Sequence, residues 1–513
     1  MRPCALAGPY LAFVAAVSVL SSPGHLWFPD DEIVFQTTES LVERGTFAIE
    51  GIPKRTGEPK GRPDGTFGWA QGTDGRRYGF FGHGLSFVAM PFYVAGRLAA
   101  DHLGPAASHL PRSDHYVYHR RSHRADLTRL FVSLTNAFVT ALVGWTSAAF
   151  FAACNVRWPA AVVASLLVVF GTVLWAYAGT FLSEPLSALA LVAAAWATTR
   201  IHALAPGRRR TLWALAAGAI AGASVHVHVL NVIAVPCFLG YFWWGGSQRP
   251  DRASAIASHL AGGLMLLLLG LDHAARFGDP FETGRYDHYS HFVWPWLALV
   301  AFLVAPGRSF FLYAPAVTVG LAGLRRTLER ARAPLAFVTA VFATRLLFAA
   351  SRSDWWGGWS FGPRYLVPTI PLCALPLAHL LDGWRDLRRG HRRTIAGALA
   401  VCVLLAAILA VFSPFEHMHA ILVRDGPGPP TYLERSHWEL RAAPFVNVWT
   451  LPSPDILPVG ALRLWRVGHR GPGYVLLAVL GFGAAAFAIL VARLRRLASA
   501  TAPEHPARHG ADR

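Results

Sequence analysis

Two adjoining stretches decide how this chain is read. LAGPYLAFVAAVSVL (residues 6–20) is an apolar run, and PDDEIVFQTTESLVERG (residues 29–45) follows it after a short connection. The first has the length and composition of a helix that starts to cross a membrane. The second opens with three consecutive acids, Asp30, Asp31 and Glu32. Ionisable groups in or beside a membrane are costly to keep and mark functional sites by default. Past Pro29 the pattern turns helical, with Ile33, Thr37 and Leu41 on one face, Glu32, Glu39 and Glu43 on another, and Gly45 as a stop. A capping role for Asp30 and a wet, dipole-favoured face account for Asp30 and Glu39. They account poorly for three acids in a row, so Asp31 is the catalytic candidate and Glu32 a supporting acid.

Composition extends the membrane reading to the whole chain. Of 513 residues, 54% are hydrophobic and only 15% charged, against about 25% charged in soluble domains; mean hydropathy is +0.37. The expectation is an all-α polytopic membrane protein. A net charge of +18 suggests nucleic acid in a soluble chain. Here the cations cluster in short loops between apolar runs, where they set orientation, and no nucleic-acid partner is expected. Lys54 and Lys60 are the only lysines. Cys4, Cys154, Cys237, Cys373 and Cys402 lie in or beside apolar segments without metal-ligand spacing and are read as unpaired core residues. The N-terminus has some features of a signal peptide but is read as a retained anchor, since the next loop depends on it.

Spans are expected near 5–22, 127–152, 159–180, 185–203, 212–229, 231–246, 254–275, 308–324, 333–350, 365–382, 394–413 and 473–494, about 12 transmembrane helices. Arg208–Arg210, Arg249 with Arg252, Arg325–Arg332, Arg385–Arg393 and Arg493–Arg496 then share a side with Arg2. By the positive-inside rule that side is cytoplasmic, as are both termini. Residues 82–100 are long enough to span, but a span there inverts every later loop. They are read as an interfacial helix in the first outer loop, with a true span and an odd total as the alternative. Residues 1–496 form one domain. Its long outer segments are 23–126, 276–307, 351–364 and 414–472, and residues 497–513 form a disordered cytoplasmic tail. No internal repeat is visible.

Several pieces together resemble GT-C type membrane glycosyltransferases. These enzymes use polyprenyl-phosphate sugars and include the protein O-mannosyltransferases and the lipid A aminoarabinose transferases. Asp31-Glu32 followed by a helix ending at Gly45 is similar to the family's first outer loop. Tyr78-Gly-Phe-Phe-Gly-His-Gly-Leu-Ser86 with Met90-Pro-Phe-Tyr93 resembles its interfacial helix. Ser183-Glu184-Pro185, Phe277–Gly284 and Trp355-Trp-Gly-Gly-Trp-Ser-Phe-Gly-Pro-Arg-Tyr365 resemble later blocks in the same order. The resemblance implies transfer of a sugar from a polyprenyl-phosphate donor to a lipid, glycan or protein acceptor. The reaction proceeds with inversion on the outer face of a bacterial cytoplasmic membrane. Asp31 is then the base, and arginines hold the donor phosphate. Arg364 is the first candidate, Arg285 the second, and Arg77 a substitute for a lysine that relatives carry where this chain has Phe80. His83 replaces a proline of the family pattern.

Glu184 could orient an arginine or hold a metal, or simply favour a helix start. Trp355, Trp356 and Trp359 could stack on sugar or prenyl, or form an interfacial belt. His226 and His228 point apart on a helix, which argues against joint chelation. Asp287, His288 and His291 form a looser group without diagnostic spacing, so a divalent metal stays open. Competing functions are a transporter or flippase of lipid-linked saccharides, an oligosaccharide ligase or polymerase, and a non-catalytic scaffold. A transporter calls for charges within spans and paired halves.

Overall fold

The structure is a computed structural model that describes residues 4–26, 29–51, 68–103, 123–285, 291–358, 360, 362–411, 432–447 and 470–500. Lys54, Lys60, Asp287, His288, Trp359, most of 414–472 and residues 501–513 lie outside the described residues. The helices in chain order are α1 (Cys4–Ser21), α2 (Pro29–Arg44), α3 (Gly84–Leu103), α4 (His123–Ser133), α5 (Thr135–Ala153), α6 (Trp158–Phe170), α7 (Leu174–Ala178), α8 (Glu184–His202), α9 (Arg208–Val227), α10 (Val235–Trp244) and α11 (Arg252–Phe277). There follow α12 (Trp296–Val304), α13 (Phe310–Tyr313), α14 (Pro315–Gly320), α15 (Leu324–Arg330), α16 (Arg332–Ala350), α17 (Ile370–Cys373), α18 (Leu375–Asp382), α19 (Arg389–Val411), α20 (Tyr432–Trp438), α21 (Pro444–Asn447) and α22 (Arg470–Ala500). Short 3-10 segments cover Val229–Ala234 and Arg364–Thr369. The first outer loop adds a small antiparallel sheet, β1 (Ala48–Ile49), β2 (Trp69–Gln71) and β3 (Arg77–Gly79), in the order β1-β3-β2.

The chain is an all-α polytopic membrane protein. Among the described residues, seven helices are long and apolar enough to cross a membrane, and two shorter apolar helical stretches, Trp158–Phe170 and Val229–Trp244, accompany them. The segments expected to span fall largely on helix, but several of them are broken, among them 127–152 at Leu134 and 365–382 at Ala374. Two further breaks face each other. The 159–180 segment stops at Gly171, and the 308–324 segment divides into α13, α14 and later pieces. Backbone groups freed inside a membrane must find partners within the protein. The breaks satisfy each other: Val173 N donates to Tyr313 O at 2.7 Å and Ala316 N donates to Gly171 O at 3.2 Å. Close helix contact is set by small residues. A Cβ on Gly218 of α9 would sit 2.0 Å from the Ser258 carbonyl oxygen of α11.

One end of the bundle collects arginine–acid pairs. Asp382 takes Arg157 at 2.7 Å and Arg330 at 2.9 Å, and Asp386 takes Arg326 at 2.6 Å. The opposite end carries the first turn of α2, the start of α8, and the C-terminal ends of α9 and α11.

Helix α2 is built as expected, with Pro29 in its first position and Gly45 at φ +63° beyond its end. Asp30 lies within the first turn and pairs with a distant arginine, which corrects its assignment as a cap. Glu32 is also re-assigned. It is buried, and the Arg129 guanidinium of α4 grips it in a bidentate pair, Nη2 to Oε1 at 2.7 Å and Nε to Oε2 at 3.0 Å. The same guanidinium lies 4.4 Å from the Phe35 ring centre. Removing one partner of a buried pair strands the other charge, so Arg129→Met should destabilise the fold by about 3–5 kcal/mol. Unfolding of the purified protein in detergent measures this, and Glu32→Gln combined with Arg129→Met should recover part of the loss. An unchanged unfolding midpoint in Arg129→Met contradicts the anchoring role.

Candidate active site

A cleft of about 750 Å³, its open mouth included, lies at the end of the bundle opposite the arginine–acid pairs. Val34, Leu85, Phe181, Leu182, Val225 and Leu269 supply apolar wall. The polar lining divides in two. On one side stand Asp30, Arg285 and Arg364; on the other His83, His226, Asp272, His273 and Arg276, with His228 also on the wall.

The first group centres on Arg364. Its Nε donates to Glu184 Oε1 at 2.5 Å, its Nη2 to Asp30 Oδ2 at 3.0 Å, and its Nη1 to the Gly357 carbonyl at 3.3 Å. One guanidinium thus bridges acids that lie more than 150 residues apart in sequence, at the heads of α2 and α8. The planar fork of arginine suits this double engagement where lysine does not. Glu184 is buried in the first turn of α8. Arg285 lies on the cleft lining, with its guanidinium 5.6 Å from the Phe80 ring centre. Tyr365 turns its hydroxyl to Asp354 Oδ2 at 3.1 Å.

The acids of the triplet therefore separate by direction. Asp30 faces the cleft, Glu32 is tied to Arg129, and Asp31 is 1% exposed and does not line the cleft. Arg77 is also displaced from its expected place. It lies on β3, donates to the Glu50 carbonyl at 2.7 Å, covers the Trp69 ring, and is not on the cleft lining. Trp356 packs near His437 of α20, their ring centres 5.8 Å apart, also away from the lining.

The second group is a chain of engaged side chains. Arg276 donates to Asp272 Oδ2 at 2.5 Å and to the Gly79 carbonyl at 3.2 Å, pinning the small sheet to the end of α11. His226 Nε2 meets the Met265 carbonyl at 2.7 Å. The i, i+2 argument against His226 and His228 assumed continuous helix. Helix α9 ends at Val227 and His228 is extended, at φ −154° and ψ 122°, so both reach the same cleft. Among the described residues no group of three or more His, Cys, Asp or Glu is placed to hold a metal ion.

His83 stacks on Phe47 with ring centres 4.1 Å apart, and its Nδ1 lies 3.6 Å from Asp272 Oδ2. Burial holds its pKa well below the usual histidine value, and the nearby Arg276, His273 and His226 push the same way. A histidine with a depressed folded pKa contributes stability that is complete above its unfolded value, about 6.5, and is lost as pH falls below it. Protection from hydrogen exchange in residues 78–90, corrected for the intrinsic pH dependence of exchange, should therefore fall between pH 7 and pH 5, and His83→Phe should flatten that dependence. Equal slopes in both proteins contradict the assignment.

Sequence reading missed Asp272, Arg276 and His273, and also Arg345, which sits inside an apolar helix and gave a legible signal as an intramembrane cation.

No family model and no curated protein matches the chain. Similar solved structures include ArnT from Cupriavidus metallidurans bound to undecaprenyl phosphate. It is 15% identical, with 95% of this chain and 76% of that chain covered at a TM-score of 0.49. The Archaeoglobus fulgidus oligosaccharyltransferase in complex with Zn and sulfate is 14% identical over 78% of this chain and 53% of its own, TM-score 0.48. The oligosaccharyltransferase AglB from the same organism, with an inhibitory peptide and a dolichol-phosphate, is 12% identical over 87% and 58%, TM-score 0.45. The chain spans little more than half the length of the archaeal proteins.

Proposed function

We propose that the protein is a membrane glycosyltransferase that moves a sugar from a polyprenyl-phosphate donor to an acceptor hydroxyl. The observation that carries the reading is one carboxylate, Asp30, set in an apolar-walled cleft with two arginines at the end of the bundle away from the arginine-rich loops. With the arginine-rich end cytoplasmic, the cleft opens on the outer face of a bacterial cytoplasmic membrane and both termini lie inside.

A general base must stand within reach of the proton it takes. Asp30 meets that requirement in the cleft. The sequence resemblance favours its neighbour Asp31, whose burial counts against direct contact. The acceptor oxygen attacks the anomeric carbon, its proton passes to Asp30, and the bond from that carbon to the phosphate oxygen breaks. A single displacement inverts the centre and releases polyprenyl phosphate. Arg364, paired with Asp30 and Glu184, orients the base, and Arg285 on the cleft lining contributes positive charge toward the phosphate. Apolar wall at Leu269, Val225 and Phe181 suits the first isoprene units.

The test is turnover. Purified protein in lipid nanodiscs, given radiolabelled polyprenyl-phosphate sugars and membrane extract as acceptor source, should release polyprenyl phosphate and form a labelled product of opposite anomeric configuration. Release only from lipid-linked oligosaccharides points instead to a ligase or polymerase. Movement of lipid-linked sugar across the bilayer without cleavage points to a flippase.

A further inference from the structure

Among the arginines outside this reaction scheme that are almost completely buried are Arg308, at 1% exposure, and Arg345, at 2%. A guanidinium taken out of water is tolerated only when its donors are met. Both spend donors on backbone carbonyls of one segment. Arg308 Nη1 donates to Ser360 O at 2.5 Å and Gly362 O at 3.1 Å, and Arg345 Nε donates to Tyr365 O. The segment between is the one that delivers Arg364 to Asp30 and Glu184.

Each clamp has an anchor on another element. Arg345 Nη1 donates to Asn231 Oδ1 at 2.7 Å, and the Asn231 amide in turn donates to Ser224 O at 2.8 Å and Ser187 Oγ at 3.2 Å. This fastens the segment to α8, to α9 and to the wall of the cleft that carries His228. Arg308 Nη2 meets His437 Nε2 of α20 at 3.2 Å. The segment needs such holding. Gly357, Gly358 and Gly362 all have positive φ, at +75°, +72° and +69°, and glycine in that region brings the largest backbone entropy to be lost. The planar fork of arginine holds separate acceptors in a fixed mutual geometry, which the flexible point charge of lysine does not.

We infer that Arg308 and Arg345 are positioning residues: they fix the backbone at Ser360, Gly362 and Tyr365, so that Arg364 meets both acids in register. The inference rests on the glycosyltransferase reading for its effect on turnover, and on geometry alone for its effect on order.

Arg308→Lys and Arg345→Lys, each in the full chain in nanodiscs, test it by two readouts. Hydrogen exchange over 355–367 should rise at least tenfold while α5 and α8 stay unchanged. The kcat for polyprenyl-phosphate sugar should fall at least thirtyfold with the donor KM within threefold. Unchanged exchange in 355–367 overturns the clamp. Faster exchange with unchanged kcat overturns its link to Arg364. If the wild-type protein turns over no such donor, the glycosyltransferase reading fails, and exchange alone still decides the clamp. Where Arg345→Lys does not fold, Asn231→Ser, which shortens the acceptor side chain, carries the same readings.

Discussion

Arg364→Gln should abolish transfer and also weaken the fold, the largest combined effect of any single change in this protein. Its guanidinium contacts Asp30 at 3.0 Å and Glu184 at 2.5 Å, and Glu184 is buried in α8. Glutamine leaves a buried carboxylate without its cation, and breaking a buried pair costs about 3–5 kcal/mol. The same change releases Asp30 from its orientation. Arg364→Lys should restore part of the stability but little of the turnover, because an ammonium is a point charge and cannot span two acids with fixed geometry. A double change, Arg364→Gln with Glu184→Gln, should regain stability while staying inactive. Recovery of turnover in that double variant contradicts the orienting role.

Asp30→Asn should remove turnover with a far smaller effect on the fold. Arg364 keeps its bond to Glu184, and Asp30 is partly open to the cleft, so no charge is stranded. Loss of a general base costs about 10²–10⁴-fold in rate, while donor binding, which relies on the apolar wall and Arg285, should change little. The parallel variant Asp31→Asn separates the two neighbours. With Asp30 as base, Asp31→Asn keeps transfer within tenfold of wild type once its folded fraction is taken into account. The reverse pattern hands the role to Asp31, as the motif resemblance had it.

Much of this was legible in the chain itself. Helical patterning located the apolar segments, but it read 159–180 as one span and did not show the break after Phe170. The acidic triplet, Glu184, Arg285 and Arg364 were all marked by position at the ends of apolar runs. Their division of labour was not. Whether Asp30 or Asp31 faces the cleft depends on the rotation of α2 about its axis, which α3 and α4 set through Ser86 to Val34 O and Arg129 to Glu32. Consecutive residues on a helix point about 100° apart, so sequence order alone cannot choose between them. Arg77 was misplaced for a related reason, since its strand turns it toward Trp69 and the Glu50 carbonyl. Arg345 shows the opposite case. An arginine inside an apolar helix is conspicuous, but its meaning lies in carbonyl groups contributed by a distant segment.

The central claim is that the cleft holding Asp30, Arg285 and Arg364 receives a polyprenyl phosphate. Photo-crosslinking measures this directly, with a polyprenyl phosphate bearing a diazirine near its head group, in nanodiscs, followed by peptide mapping. The account predicts saturable labelling of the cleft walls within 80–85, 181–183, 225–229 and 269–285, competed by unlabelled polyprenyl phosphate and weakened by Arg285→Gln. Labelling spread along the lipid-facing helices, without saturation and indifferent to Arg285→Gln, would contradict it.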